Sequence, residues 1–434
     1  MNKRRGQSIW RRAASGAGRF LLRVSPGIAP GLACRLLAGS TRAEDHGWLR
    51  YAQALLAWRR GDHFAALDLL RVASAELPDE PGVAISLALA LANVDMWDVA
   101  IEAGERVLRF FPDAADDRQL WQMLAWAYLL TGRYRTVIEL MQRMHDAGAS
   151  PSPIELQLLL ARAVLLKQEP SVAHLRTLLR QSRSQLAVYF RFIEHLAESG
   201  YGELAAFLLA PLPPPAALRA LDAMAHRAVA REQPSLALWA ANALEKLEIG
   251  PEVARAIAAL AAAAEGDLQA ARRFADEAHA LGPDHPLVQE KLAAVYMISG
   301  DREKALGAAT RAIAAGSADA FSAGLLAAAI LDKGDVRAAA QVFAEQRSGD
   351  ALGAAVGHLA QARIYGRKRD WGDVEKLLRA VDEELQDVPA WARTEALVQF
   401  ALSQLQDIRA TDAPAHVRAA AEAVVERLEQ LRRP

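Results

Sequence analysis

The order of apolar and polar positions along the 434-residue chain favours helices over strands. No segment alternates β-branched apolar and polar residues with the period of two that is typical of a half-buried strand. Alanine is common, and it has the highest helix propensity and lets helices approach closely. No run of about 18 apolar residues occurs, as a membrane-spanning helix would require. The pattern predicts an all-α fold without a transmembrane helix.

A short turn motif repeats at a fixed step in the C-terminal half of the chain. Three Gly-Asp pairs lie 34 residues apart, at Gly266-Asp267, Gly300-Asp301 and Gly334-Asp335. Gly supplies the backbone freedom that ends one helix, and Asp can cap the next helix. Small residues keep the same step at Ala259, Ala293 and Ala327. We therefore predict repeating helix-turn-helix units whose helices cross at these small side chains.

A 34-residue helix-turn-helix unit with small residues at set positions and Pro near its end resembles the tetratricopeptide repeat (TPR) family. The three consecutive units in residues 252–353 follow the pattern most closely, and other units with varying fidelity extend the resemblance over roughly residues 47–388. The resemblance implies a right-handed superhelical solenoid of about nine to ten TPR-like repeats.

Proline and charge suggest how the predicted solenoid is divided. The run Pro211-Leu212-Pro213-Pro214-Pro215 is expected to stay outside helices, because Pro lacks an amide donor and restricts the residue before it. The predicted parts are a basic N-terminal arm (1–43), an N-terminal solenoid segment (44–210), a proline-rich joint (211–215), a C-terminal solenoid segment (216–388) and a capping helical pair (389–434).

The resemblance also implies a binding groove, because in this family the first helix of each hairpin lines the concave face. The positions that match the inward-facing ones are Trp48, Tyr51, Leu55, Trp58, Arg59, Gln122, Trp126 and Leu130. Aromatic side chains dominate many protein interfaces, so these residues are candidates for contact with a partner. Packing of the same aromatics within or between repeats is an alternative that the sequence leaves open.

The N-terminal arm contains nine Lys or Arg residues and no Asp or Glu, whereas the rest of the chain is acidic. A helix there would separate apolar from Arg side chains and could lie in an anionic membrane surface. The residues predicted to contact the membrane or a partner are Ile9, Trp10, Arg12, Arg19, Phe20 and Arg23. An arm that binds protein or stays free is equally well supported, because Gly16 and Gly18 weaken the helix. A cleaved targeting segment is a third interpretation.

The sequence contains none of the common motifs for catalysis. A phosphate-binding Gly-rich loop, a G-x-S-x-G nucleophile elbow and an H-E-x-x-H metal helix are all missing. The ten histidines are scattered and Cys34 is the only cysteine, so neither a metal nor another cofactor is predicted. We expect no enzymatic activity and no small-molecule substrate. The acidic body disfavours specific nucleic acid binding.

The leading functional hypothesis is a cytoplasmic, non-catalytic adaptor that assembles a multiprotein complex through its solenoid. Residues 1–43 would hold this adaptor at the inner face of a membrane, or would contact protein instead. An alternative is a TPR component of a machine that exports or synthesises an envelope polysaccharide or protein. The least favoured hypothesis is an enzyme with a site near the proline-rich joint.

Overall fold

The computed structural model describes residues 17, 19–22, 30–38, 43–343, 351–409 and 413–431. All regular structure within these ranges is helical, without a strand, so the prediction of an all-α fold is confirmed. The chain divides into two compact units, Met1–Leu196 and Ala197–Pro434, which we call unit 1 and unit 2. This boundary precedes the proline run at which the sequence suggested a joint.

Unit 1 is built from helices joined by short turns, with 3₁₀ turns before α6, α8 and α10. These helices are α1 (Pro30–Leu37), α2 (Ala43–Arg59), α3 (His63–Glu76), α4 (Pro81–Asn93), α5 (Trp97–Phe110), α6 (Arg118–Leu130), α7 (Tyr134–Asp146), α8 (Glu155–Leu166), α9 (Val172–Gln181) and α10 (Leu186–Glu198). Each helix from α2 to α6 packs on the helix that follows it, and α4 also packs on α6.

Unit 2 continues the same plan. Its helices are α11 (Gly202–Leu209), α12 (Pro214–Ala230), α13 (Pro234–Lys246), α14 (Pro251–Ala264), α15 (Leu268–Leu281), α16 (Pro286–Ile298), α17 (Arg302–Ala314), α18 (Ala320–Asp332), α19 (Val336–Val342), α20 (Ala351–Lys368), α21 (Trp371–Glu384), α22 (Glu395–Arg409) and α23 (Ala415–Leu431). The first helices of successive hairpins, such as α14, α16 and α18, pack side by side.

The Gly-Asp turns lie where their spacing predicts. They join α14 to α15, α16 to α17 and α18 to α19, and each second helix begins 34 residues after the previous one. The Asp side chains accept backbone N–H bonds of 2.9, 3.1 and 2.9 Å, at Asp267, Asp301 and Asp335. The preceding glycines have φ values of 84°, 80° and 85°, a region that L side chains rarely adopt. The predicted TPR-like helical solenoid is therefore confirmed as the fold.

Small residues lie where helices approach each other most closely. Ala259, Ala293 and Ala327, one repeat step apart, are fully buried. A Cβ atom on Gly324 of α18 would lie only 2.9 Å from the backbone carbonyl oxygen of Val356 on α20. Such a distance is shorter than normal packing allows, so a larger side chain would push the two helices apart.

Two tyrosines tie a hairpin to the preceding one through a carboxylate. The Tyr128 hydroxyl on α6 donates to Glu105 Oε1 on α5 at 2.5 Å, and the Tyr296 hydroxyl on α16 donates to Asp276 Oδ1 on α15 at 2.7 Å. Burial alone would raise the pKa of Glu105, but hydrogen bonds from Arg143 and Tyr128 outweigh burial and lower this pKa below its ordinary value. These bonds add charge-assisted links to the apolar contacts between hairpins.

The proline run differs from its prediction. Helix α12 begins at Pro214, so Pro214 and Pro215 are helical and the expectation that they stay outside helices is wrong. Pro213, with ψ of 137°, is the N-cap residue. The first helical turn has no internal acceptor for its N–H groups, so a proline there loses no hydrogen bond, and its fixed φ suits the helix.

Candidate partner-binding groove

The first helices of three successive hairpins surround one open cavity in unit 1, with a volume of about 520 Å³. We call it the unit 1 pocket. Helix α2 contributes Tyr51, Ala54, Leu55 and Trp58, helix α4 contributes Ser86, Leu89, Ala92 and Asn93, and helix α6 contributes Gln119, Gln122, Met123 and Trp126. Leu70, Trp97, Ser184 and Val188 complete the lining. The pocket therefore runs across the hairpins rather than into one of them.

The structure brings five of the eight predicted groove residues together in this pocket. Those five are Tyr51, Leu55, Trp58, Gln122 and Trp126. The remaining three lie outside the lining. Trp48 is 1% exposed and packs edge-on against Tyr51, with ring centroids 6.1 Å apart. Arg59 is exposed and Leu130 is half-buried.

Two aromatic side chains of the pocket lining, Tyr51 and Trp126, are held by hydrogen bonds within unit 1. The Tyr51 hydroxyl lies 3.1 Å from Ser86 Oγ. Trp126 is only 3% exposed, and its indole N–H donates to Gln185 Oε1 at 2.8 Å. Its ring packs edge-on against Phe192 at 6.3 Å. Trp126 thus belongs both to the core and to the pocket wall, so the two interpretations of the aromatics that the sequence left open do not exclude each other.

The lining of the unit 1 pocket has no ionisable side chain other than the phenol of Tyr51. Three of its polar side chains are amides, and those of Asn93 and Gln119 are exposed and make no hydrogen bond to other residues in the described ranges. Gln122 donates to the carbonyl oxygen of Pro153 at 2.9 Å, which leaves its own oxygen as an acceptor. An amide both donates and accepts. The pocket therefore offers an apolar wall with neutral donors and acceptors.

Part of the pocket comes from a segment that the sequence did not indicate. Ser184 lies in the 3₁₀ turn before α10 and Val188 in the first turn of α10, far along the chain from α2, α4 and α6. An ion pair between Arg191 on α10 and Asp95, in the turn after α4, links this helix to the hairpins that line the pocket. By contrast, Leu89 and Asn93 lie on α4 and Gln119 lies on α6, the first helices of two hairpins.

The predicted membrane contacts fall mostly outside the described residues. Ile9, Trp10, Arg12 and Arg23 are among the positions that the structure does not describe. Arg19 lies 3.3 Å from the fully buried carboxylate of Asp45 on α2, and Phe20 is 64% exposed. Among the helices of the described ranges, none is long and apolar enough to cross a membrane.

In unit 2, a loop of the chain lies on the first helices of the hairpins, the helices that surround the open pocket in unit 1. Residues 388–394, between α21 and α22, return to the C-terminal end of α12. There the Trp391 indole N–H donates to the Val229 carbonyl oxygen at 3.0 Å. The Ala390 N–H donates to Glu232 Oε1 at 2.7 Å. A residual cavity of about 40 Å³ lies beside Trp391.

No protein-family model and no curated protein matches the sequence. Among solved structures, a chain of the APC/C hetero-tetramer Cut9-Hcn1 is similar, with 15% identity, a TM-score of 0.33 and coverage of 97% of this chain and 95% of that chain. A chain of Naa15/Naa10 bound to HypK-THB has 14% identity, covers 99% and 94%, and has a TM-score of 0.28. Yeast Tom70 has 12% identity, covers 88% and 100%, and has a TM-score of 0.26. A likeness at this level says nothing about function.

Proposed function

We propose that this protein is a non-catalytic scaffold that contributes to a multiprotein assembly by binding a peptide segment of a partner in the unit 1 pocket. The occupant is an extended segment that presents apolar side chains and no charge to the pocket. The observation that carries this proposal is an open cavity of about 520 Å³ with apolar walls and the exposed amides of Asn93 and Gln119.

Size and chemistry both favour a peptide as the occupant. Ligand pockets typically have volumes of about 300 to 1,000 Å³, with apolar walls and a few polar groups that fix orientation. Amide side chains can pair with both the N–H and the C=O of a peptide backbone. The half-buried Trp58 and Trp97 are aromatic groups of the kind that dominate binding energy at interfaces.

Selection of linear peptides from a phage-displayed random library on the full-length protein tests this proposal. Selected peptides should be rich in apolar and poor in charged residues. Asn93→Arg and Gln119→Arg should each weaken their binding about tenfold or more, which corresponds to about 1.4 kcal/mol, because each places a charge where the pocket has no counter-charge. Binding would be measured by fluorescence anisotropy with synthetic peptides.

The matched control is Gln53→Arg, which adds the same charge at an exposed position of α2 outside the pocket lining. This variant should bind the selected peptides as the wild type does. Equal binding by all three Arg variants would reject the pocket as the binding site, and so would a selection that yields no specific peptide.

We further propose that residues 1–43 hold the scaffold against an anionic membrane surface, in the cytoplasm. The exposed Phe20 ring supports this proposal, whereas Arg19 is paired with Asp45 and contributes less to attraction by anionic lipid.

The full chain should sediment with vesicles that contain phosphatidylserine and not with pure phosphatidylcholine vesicles. Phe20→Ser should reduce sedimentation, while Phe64→Ser on α3, where the ring is 74% exposed, should not. Equal losses in the two variants would argue against the arm.

A further inference from the structure

A loop of unit 2 lies on the same helical surface that forms an open pocket in unit 1. Leu55 and Leu89 line the unit 1 pocket and are 34 residues apart. Leu260 on α14 and Ala294 on α16 are also 34 residues apart, and they line the small cavity beside Trp391. The first helices of the hairpins thus present a corresponding face in both units, and in unit 2 that face is covered by Trp391.

The C-terminal end of α12 provides two acceptors for this loop. One is the Val229 carbonyl, which also accepts the N–H of Glu232. The other is the carboxylate of Glu232, held just beyond the helix by a positive φ of 59°. The Val229 carbonyl accepts from the Trp391 indole N–H, and the Glu232 carboxylate accepts from the backbone N–H of Ala390. The surface therefore fits a tryptophan preceded by a residue with a free N–H.

The loop is buried at its ends and less so at its tip, a 3₁₀ turn (Ala390–Ala392) that the two hydrogen bonds hold to α12. Val388 and Ala392 are buried, and Arg393 Nε donates back to the Val388 carbonyl at 2.9 Å. Between them Ala390 is exposed and Trp391 is only half-buried, beside a residual cavity. A competing segment needs to replace the two hydrogen bonds to Val229 and Glu232 and the partly buried Trp391 ring. Val388 and Ala392 can stay buried.

We propose that the end of α12 and the adjoining faces of α14, α16 and α18 form a second peptide-binding site, which Trp391 occupies in cis. Its partner is a protein segment that carries a tryptophan among small uncharged residues, as in Pro389-Ala390-Trp391-Ala392. Binding of that segment displaces Trp391, so the site is closed until a competing tryptophan is present. This inference is independent of the unit 1 pocket, because no residue is shared between the two sites.

Displacement can be observed directly by fluorine NMR on the full chain labelled with 5-fluorotryptophan. Trp391→Phe identifies the Trp391 resonance by its disappearance. The probe is a synthetic peptide of residues 385–396, and the matched peptide has Ala in place of Trp391. The Trp391 resonance should move saturably towards the position of free 5-fluorotryptophan with the first peptide and not with the second. An unchanged resonance at the highest soluble peptide concentration would overturn the proposal.

Removal of the cis competitor should expose the site. Fluorescence anisotropy with the labelled peptide should show about tenfold or tighter binding to Trp391→Ala than to wild type, because apparent affinity falls with the fraction of open sites. Glu232→Gln in that background should weaken binding again. The control Trp371→Ala, at a half-buried position of α21, should bind as wild type does.

Circular dichroism would verify that every variant is folded. If folded Trp391→Ala binds the peptide no better than wild type does, the loop is a permanent part of the fold and the proposal fails. Loss of peptide binding in Asn93→Arg would instead assign the peptide to the unit 1 pocket and would likewise contradict a second site.

Discussion

Replacement of Trp126 by alanine is expected to lower the free energy of unfolding of unit 1 by about 3 to 5 kcal/mol. The indole is almost fully buried, packs edge-on against Phe192 and donates to Gln185 Oε1 at 2.8 Å. Alanine would leave a cavity, and it would remove the hydrogen bond that Gln185 Oε1 accepts from the indole N–H. Urea unfolding followed by far-UV circular dichroism would measure the loss.

Trp58→Ala is the matched control, because Trp58 lines the same pocket but is only half-buried. Its ring packs edge-on against the neighbouring His63 at 5.0 Å. We expect this variant to cost about 1 to 2 kcal/mol, in line with partial burial of apolar area. If the two variants destabilise the protein equally, Trp126 does not have the core role assigned to it. The difference also makes Trp126 a poor choice for testing peptide binding, since unfolding would be mistaken for a lost contact.

The local plan of the fold follows from sequence because it depends on neighbouring residues. A Gly with positive φ ends a helix, the next residue caps the following one, and a fixed step between such turns fixes the length of each hairpin. Ala259, Ala293 and Ala327 could be placed in the core for the same reason. A proline run is less informative, since Pro214 is favoured in a first helical turn as much as it is excluded from a helix interior.

The candidate site could be predicted only in part. Spacing along one helix indicates which side chains share a face, so Tyr51, Leu55 and Trp58 could be grouped. It does not indicate which distant segment covers that face. Gln185, which fixes Trp126, lies 59 residues further along the chain. Ser184 and Val188 lie in the same region, where no repeated motif marks them as pocket residues.

The two units show why the segment that covers a helix face matters for function. The first-helix face of unit 1 borders an open cavity without a charged side chain. The corresponding face of unit 2 also carries Glu290 and Lys291, and it is covered by Trp391, 162 residues from its acceptor Val229. A sequence comparison of the repeats alone would treat these faces as equivalent. The open face leads to a proposal of direct peptide binding in unit 1. The covered face leads to a proposal of binding by displacement of Trp391 in unit 2.

A buried ion pair in unit 2 leads to the second large expected effect. Asp222→Ala is expected to destabilise unit 2 by about 3 to 5 kcal/mol, because it removes the carboxylate that pairs with Lys291. The Lys291 side chain is 1% exposed, so its ammonium cannot regain water without a structural change. The neighbouring Glu290 is a weak substitute, since burial raises its pKa and disfavours the charged form. Urea unfolding of the variant would measure the loss.

The double variant Asp222→Leu with Lys291→Met separates the attraction between the charges from the cost of an unpaired charge. Replacing both members of a buried pair by apolar residues is often neutral, whereas removing one member is not. The double variant should therefore recover most of the stability that Asp222→Ala loses. Glu203→Ala, which breaks the exposed pair with Lys246, should cost less than about 1 kcal/mol. If Glu203→Ala and Asp222→Ala lower the free energy of unfolding by similar amounts, burial of Lys291 does not explain the contribution of the Asp222–Lys291 pair.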